Sequence, residues 1–530
     1  MQKHPNRLWI TALLIGWIFD FLFWKHTPGI SFAIYAVVTL AGGFILLWLD
    51  GIRPAGKTLI LLPFILFFAA MTFIRMEPMS AFLAHAFTLF LMAGLAVTYR
   101  GGQWMRYSVA DYFARGFDLL ASAFIRPVTF AAESQRLKRE AASGEEKRPN
   151  PIWPVVRGLL FAIPVVVFFT ALLSSADLVF AQGLNDLVKL FSLENFSEYV
   201  FRAIYIVILA YILAGMYLHA ASRSGDEKLL GLEKPVVSRF LGFTEASIVL
   251  GSVVLLFAAF VIVQFRYFFG GQANINLSGY TFAEYARRGF GELVTVAFFA
   301  LLLFLGLSTV TRRETAGRQK VFSALGITLV ALVAVMLVSA YQRLVLYETA
   351  YGFTRLRTYT HVFIIWVAIL LACVVLLDLL QRQRAFALAV LLASLGFGLS
   401  LTLLNVDGFI FQRNVQRFEL GQDLDVGYLA SLSSDAIPAM VDLYQSPAAA
   451  ATTRDRIGAA LACIQSQADS RQRGDTAWQS FHFSTYRADA SLRLVADKLK
   501  TYTIKNDAWP STVKTPLGEK FDCYSSVMDD

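Results

Sequence analysis

Eleven runs of about twenty mostly apolar residues, spread through the first 404 positions, leave this chain little choice but to cross a bilayer as helices. A hydrocarbon core about 30 Å thick takes roughly 20 residues at about 1.5 Å rise each. Inside lipid the backbone has no water to bond, so helices and closed barrels are the only spanning forms. The runs are 8–24, 30–49, 58–74, 79–98, 155–173, 199–218, 240–263, 290–310, 321–341, 361–380 and 386–404. An apolar share of 57%, a charged share of 16% and 46 Phe exclude a water-soluble or disordered chain.

The formal charge of +9 would suggest nucleic acid if it lay on one soluble domain. Residues 405–530 instead hold 13 Lys/Arg against 16 Asp/Glu, so the basic excess lies between the apolar runs. Alternating the loops puts 23 Lys/Arg on one side and 9 on the other. The positive-inside rule then places the N-terminus in the cytoplasm and, after an odd number of spans, the C-terminal 126 residues outside. MQKHPNR and the apolar run after it lack a small-residue cleavage site and are interrupted by Asp20, Trp24 and Lys25, which reads as an uncleaved first span. Cys463 and Cys523 both fall in the tail, and thiols in an oxidising compartment tend to pair, so a disulfide between them is expected.

Two amphipathic segments flank the spans. Val109, Tyr112, Phe113, Phe117, Leu120 and Phe124 share a helical face within the cytoplasmic stretch 100–154, which continues into a charged segment, 133–151, read as a loop. Thr281 and Glu284 form a capping box before an outer amphipathic helix near 280–290. In the tail, Ser446-Pro447 reads as a helix start and 486–499 as a further helix. The expectation is therefore all-α: a transmembrane bundle of about eleven spans over 1–404 and a small helical extracytoplasmic domain over 405–530.

Motif matches carry little chemistry. GIRPAGKT, Gly51 to Thr58, fits the P-loop expression but joins two spans, without the strand and helix that a phosphate-cradling loop needs. Ser511 to Lys514 fits S-x-x-K without its partner motifs. The six His are scattered, so neither a metal site nor a cofactor is indicated. Asp20 and His85 are the polar groups at membrane depth, where ionisable residues are costly. For both, the plainer reading is structural: contact with water at a span end for Asp20, a bond to a neighbouring helix for His85.

The densest polar stretch is YQRLVLYETAYGFTRLRTY, 341–359. If the ninth span continues as a helix, Arg343, Tyr347, Tyr351 and Thr354 stack on one face, Gly352 ends it, and Arg355 and Arg357 follow at the boundary. Arginine forks bind carboxylate or phosphate, and tyrosines supply rings and hydroxyls. An outward site for an anionic lipid or acidic ligand competes on equal terms with an internal network through Glu348.

YTFAEYARRGFGEL (280–293), RLVLYETAYGFTRLR (343–357), LNVDGFIFQRNVQRF (404–418) and LDVGYLASLSSDAIPAM (424–440) together resemble a bacterial family of multi-pass membrane proteins known as a domain of unknown function. Asn405, Asp407, Ile410 and Asn414 match that family's third motif, with Val406 at its proline position and Phe411 at its alanine. Asp425, Tyr428, Ser433, Asp435 and Pro438 fit its fourth, and Trp478 to Ala488 its later aromatic segment. The resemblance implies a bacterial inner-membrane protein with a periplasmic tail and supplies no activity. The sequence thus points to a non-enzymatic protein whose periplasmic face binds a lipid, an acidic ligand or an envelope or sensor protein, and not nucleic acid. A secondary transporter and an envelope glycosyl- or phospho-transferase are the alternatives.

Overall fold

The computed structural model describes residues 4–141, 196–225, 229–230, 239–268, 290–447, 449–472, 477–505 and 510–523, and scattered positions between 158 and 180. Ten helices among them are long and apolar enough to cross a membrane. They are α1 (Pro5–Phe23), α2 (Ile30–Leu49), the pair α3 (Gly56–Leu59) and α4 (Leu61–Ile74) taken as one span, α5 (Pro78–Thr98), and, after the amphipathic α6 (Val109–Ala141), α7 (Phe196–Ser222). The series closes with α8 (Phe243–Phe268), α9 (Phe290–Val310), α10 (Ala316–Tyr351), α11 (Arg355–Leu379) and α12 (Phe386–Leu404). The apolar run 155–173 and the capping-box helix near 280–290 lie largely outside the described residues. Residues 133–141, read as part of a charged loop, instead extend α6, because Arg136 and Glu140 pair one turn apart at 2.7 Å.

By contact the chain divides into two units, 1–24 with 38–53 and 118–223, and 25–37 with 54–117 and 224–530. In the first, α1 packs on α7. In the second, α4, α5, α12, α11 and α10 pack in succession, and α8 and α9 both lie against α10. Phe304, Phe322, Leu329, Val333 and Leu337 are among the buried residues of that second bundle. Large apolar side chains that face outward, such as Leu255 at 73% exposure on α8, suit hydrocarbon and would be an aggregation liability in water.

The tail continues with α13 (Val406–Glu419), α14 (Val426–Ala430), α15 (Ile437–Gln445), α16 (Ala451–Gln472) and α17 (Phe483–Leu499). Ser446 closes α15, and the next helix starts at Ala451, so the Ser446-Pro447 pair is a stop, not a start. The expected helical tail domain is overturned at its end: β1 (Thr503–Lys505), β2 (Thr512–Lys514) and β3 (Lys520–Asp522) form an open antiparallel sheet in that order. Each strand is a polar–apolar–polar triplet, and Ile504, Val513 and Phe521 align in register across the sheet. Three residues are too few for alternation to register against helical period. Ser511 and Lys514 bracket β2, and an offset of three along extended chain turns their side chains to opposite faces.

Cys463 on α16 and Cys523 after β3 are joined in a disulfide with Cα atoms 5.6 Å apart, 60 residues apart in sequence. Both belong to the tail's apolar core, with Ile410, Leu429, Met440, Leu461 and Leu492, and Met79, Leu83 and Phe353 from the span ends pack against it. Closing a loop of this length is worth roughly 2–5 kcal/mol. Cys523→Ser should therefore release the sheet to protease while the spans stay folded. Equal protease resistance of oxidised, reduced and Cys523→Ser protein would show that the cross-link does not hold the sheet.

Candidate functional site

Where the second unit's spans meet the tail, the ends of α4, α5, α10, α11 and α12 supply a connected polar layer. Helix α10 has 36 residues and a length of about 54 Å, well beyond a hydrocarbon core of about 30 Å, so its last turns leave the apolar slab. Gly352 ends it at φ 83°, where a Cβ would lie 2.5 Å from Asn414 Oδ1. Asn414 clamps the next peptide, accepting from Phe353 N at 2.8 Å and donating to Phe353 O at 2.9 Å.

Asp407, with a side-chain exposure of 0%, receives Arg355 through Nε and Nη2, both at 2.8 Å, and the Ser433 amide at 2.7 Å. Tyr428 accepts the Arg355 amide at 2.9 Å, and burial pushes its hydroxyl pKa up. Asp435 accepts from the Met76 amide at 2.8 Å and the Glu77 amide at 3.2 Å, and Arg75 approaches it at 3.5 Å. Arg75 also donates to Thr402 O at 2.9 Å, satisfying a carbonyl that the end of α12 leaves open. Glu77 caps α5 through the amides of Met79 and Ser80, at 2.9 and 2.8 Å, and accepts the Tyr359 hydroxyl. Three further loop contacts fix α17: Ser480 Oγ donates to Thr27 O at 2.9 Å, Ile30 N donates to Phe481 O at 3.0 Å, and His482 Nε2 donates to Pro28 O at 2.9 Å.

The residues singled out from the sequence take several roles. Arg355 is committed to Asp407, and Thr354 is the N-cap of α11. Glu348 is buried and bonds His361 Nε2 at 2.6 Å. Arg343 is buried on α10. Arg357 donates to Gly352 O and lies over the Tyr347 ring at 4.0 Å, and Tyr347 packs on the exposed Tyr351 at 5.1 Å. Arg417 of α13 bonds the last carbonyls of α10, at Thr349 and Ala350, at 3.0 and 3.1 Å. Burial, and then the charge of Arg357, pulls the Arg417 pKa below the ordinary guanidinium value. No carboxylate pairs with either of these two arginines among the described residues.

At membrane depth in the first unit, Asp20 is buried and held by Arg202 at 2.5 and 2.9 Å and by Tyr205. His85 bonds Ala81 O of its own helix at 2.7 Å and packs on Phe32 at 4.4 Å. Arg75, Glu77, Tyr359 and Arg417 are members of the polar layer that the sequence reading missed. Glu77 before Pro78 is an N-cap signal, but nothing local announces its long-range partners.

Two measurements check this layer. Removing one partner of a buried pair leaves the other charge uncompensated, a loss of roughly 3–5 kcal/mol. Arg355→Ala should thus free the tail to limited proteolysis, while Arg413→Ala, at an exposed position, should leave it docked. Burial, assisted by His85, holds the His482 pKa below its ordinary 6.5, and its Nδ1 is buried with no partner among the described residues. A depressed folded pKa means that the unfolded chain takes up the proton first. His482 therefore contributes its full stability above 6.5 and loses it as pH falls below that value. Melting temperatures at about pH 7.5 and about pH 5.5 should diverge more for the native protein than for His482→Gln.

A family model described as Domain of unknown function (DUF4153) matches residues 62–443. That is well over half of the chain, which belongs to this family. No curated protein and no solved structure matches it.

Proposed function

We propose that this DUF4153 chain is a non-enzymatic binding protein of the bacterial inner membrane that captures an anionic group, a lipid headgroup or an acidic ligand, on its periplasmic face. The observation that carries the reading is the pairing of Arg357 with Arg417. Both guanidiniums converge on the end of α10, Arg357 on the Gly352 carbonyl and Arg417 on those of Thr349 and Ala350, and neither has a carboxylate counter-charge among the described residues. Arg355 and Arg75 lie in the same layer and are neutralised by Asp407 and Asp435, so the shortfall of negative charge is local. A fork beside a fork, flanked by the Tyr347 and Tyr351 rings, suits a phosphodiester or carboxylate at the outer boundary of the bilayer.

The assignment of this face to the periplasm is supported by what the tail touches. Its contacts fall on Thr27 and Pro28, on Met76 and Glu77, and on Phe353 to Arg355, all in the loops poor in Lys/Arg. Alkaline phosphatase fused after Asp530 should be active and a green fluorescent protein there dark; the reverse would put this face in the cytoplasm. Each cation near a charged surface is worth about 1 kcal/mol, so Arg357→Ala with Arg417→Ala should lower retention of phosphatidylglycerol in mixed nanodiscs by roughly thirtyfold. If neither phosphatidylglycerol nor an acidic peptide distinguishes the double variant from the native chain, the binding reading fails.

A further inference from the structure

At the end of the α3–α4 span opposite Arg75 lies a cavity of about 210 Å³, lined by Lys57, Gly101, Gly102, Gln103, Met105 and Arg106. Its walls are fixed by bonds that cross from one segment to the other. Ala55 N donates to Tyr99 O at 2.7 Å, Thr58 Oγ1 to Thr98 O at 2.6 Å and Trp104 Nε1 to Lys57 O at 2.9 Å. Gly102 sits at φ 69°, and a Cβ there would meet that of Ala55 at 2.9 Å, so the two segments close up only around glycine. On the far wall Arg384 donates to Arg106 O at 3.3 Å and spends its charge on the buried Asp111 at 2.9 Å.

Lys57 belongs to the P-loop-like octapeptide, yet the cavity does not work as a P-loop. The Gly101 and Gly102 amides are taken by Ser224 O and Thr98 O, both at 2.9 Å, so they cannot cradle phosphate. What remains is charge: the exposed side chains of Lys57 and Arg106, neither in an ion pair among the described residues. Ile60, three residues after Lys57, and Phe113 on α6, 67% exposed, present apolar surface outward. Lys57 lies at the start of the α3–α4 span and Arg106 just beyond the end of α5, the level at which cations meet phospholipid headgroups. The volume falls short of the roughly 300–1,000 Å³ that drug-sized ligands occupy, which favours a single phosphate with a small alcohol over a nucleotide.

We propose that this cavity binds one phosphate group, with Lys57 as a point charge and Arg106 as a fork, presented by an anionic phospholipid headgroup or by free phosphate on the Lys/Arg-rich side of the membrane. The site is separate from the Arg357–Arg417 pair, at the opposite end of the spans. The full-length protein in neutral phosphatidylcholine nanodiscs, with Lys57 acylation followed by mass spectrometry and Lys320 as an exposed internal reference, tests it. Added phosphatidylglycerol, or millimolar inorganic phosphate, should slow acylation of Lys57 relative to Lys320 on the order of tenfold, and Arg106→Ala should remove most of that protection. Protection by the lipid alone assigns a headgroup site, and protection by phosphate assigns a free-anion site. The proposal is overturned if Lys57 and Lys320 react in parallel with both additives, or if Arg106→Ala retains full protection with an unchanged melting temperature. Arg357→Ala with Arg417→Ala should leave Lys57 protection intact, so this site and the periplasmic one can fail independently.

Discussion

The bidentate pair between Arg355 and Asp407 is the contact on which the tail's position depends. Arg355 opens α11 and Asp407 lies in the first turn of α13, so one ion pair ties the start of a span to the start of the tail. Burying a carboxylate is costly unless its acceptor capacity is filled, and two guanidinium nitrogens with the Ser433 amide fill it. The same rule governs Asp435 and Glu77, whose oxygens take main-chain amides at the entry to α5. Such a layer contributes less to net stability than to uniqueness, because any shift of the tail leaves several buried groups unpaired at once.

This layer also decides which arginines keep a charge without a carboxylate beside it among the described residues. Of the three in the 341–359 stretch, Arg355 is neutralised by Asp407, Arg343 is buried on α10, and Arg357 alone stands beside a second cation, contributed by the tail. The face is therefore composite: the aromatic rings come from α10 and the second guanidinium from α13. A membrane domain without its tail would present half of it.

The spans were legible because apolar runs of bilayer length admit one backbone solution, and Gly352 was legible as a stop because helix ends have their own chemistry. The partners were not. Arg75 and Asp435 are 360 positions apart, and no periodicity or spacing rule links residues over that distance. The family resemblance did better than the patterns, since Asp407, Asn414, Tyr428 and Asp435, which carried it, all turn out to bond across the junction. The terminal sheet escaped because triplets such as Thr512-Val513-Lys514 are shorter than any window that separates alternation from noise. The partner of Asp20 was equally illegible, because Arg202 lies 182 residues downstream.

The distance from Arg75 to Asp435 sets a schedule for biogenesis. At about 5–20 residues per second, ribosomes need on the order of tens of seconds to deliver the carboxylate after the guanidinium has left the insertion machinery. During that wait the entry to α5 lacks the tail carboxylate that later completes it. A nascent protein interrupted before residue 435 therefore carries an unsatisfied polar end that quality-control proteases can read as unfinished, and the segment that carries Asp435 is the one that certifies the bundle as complete.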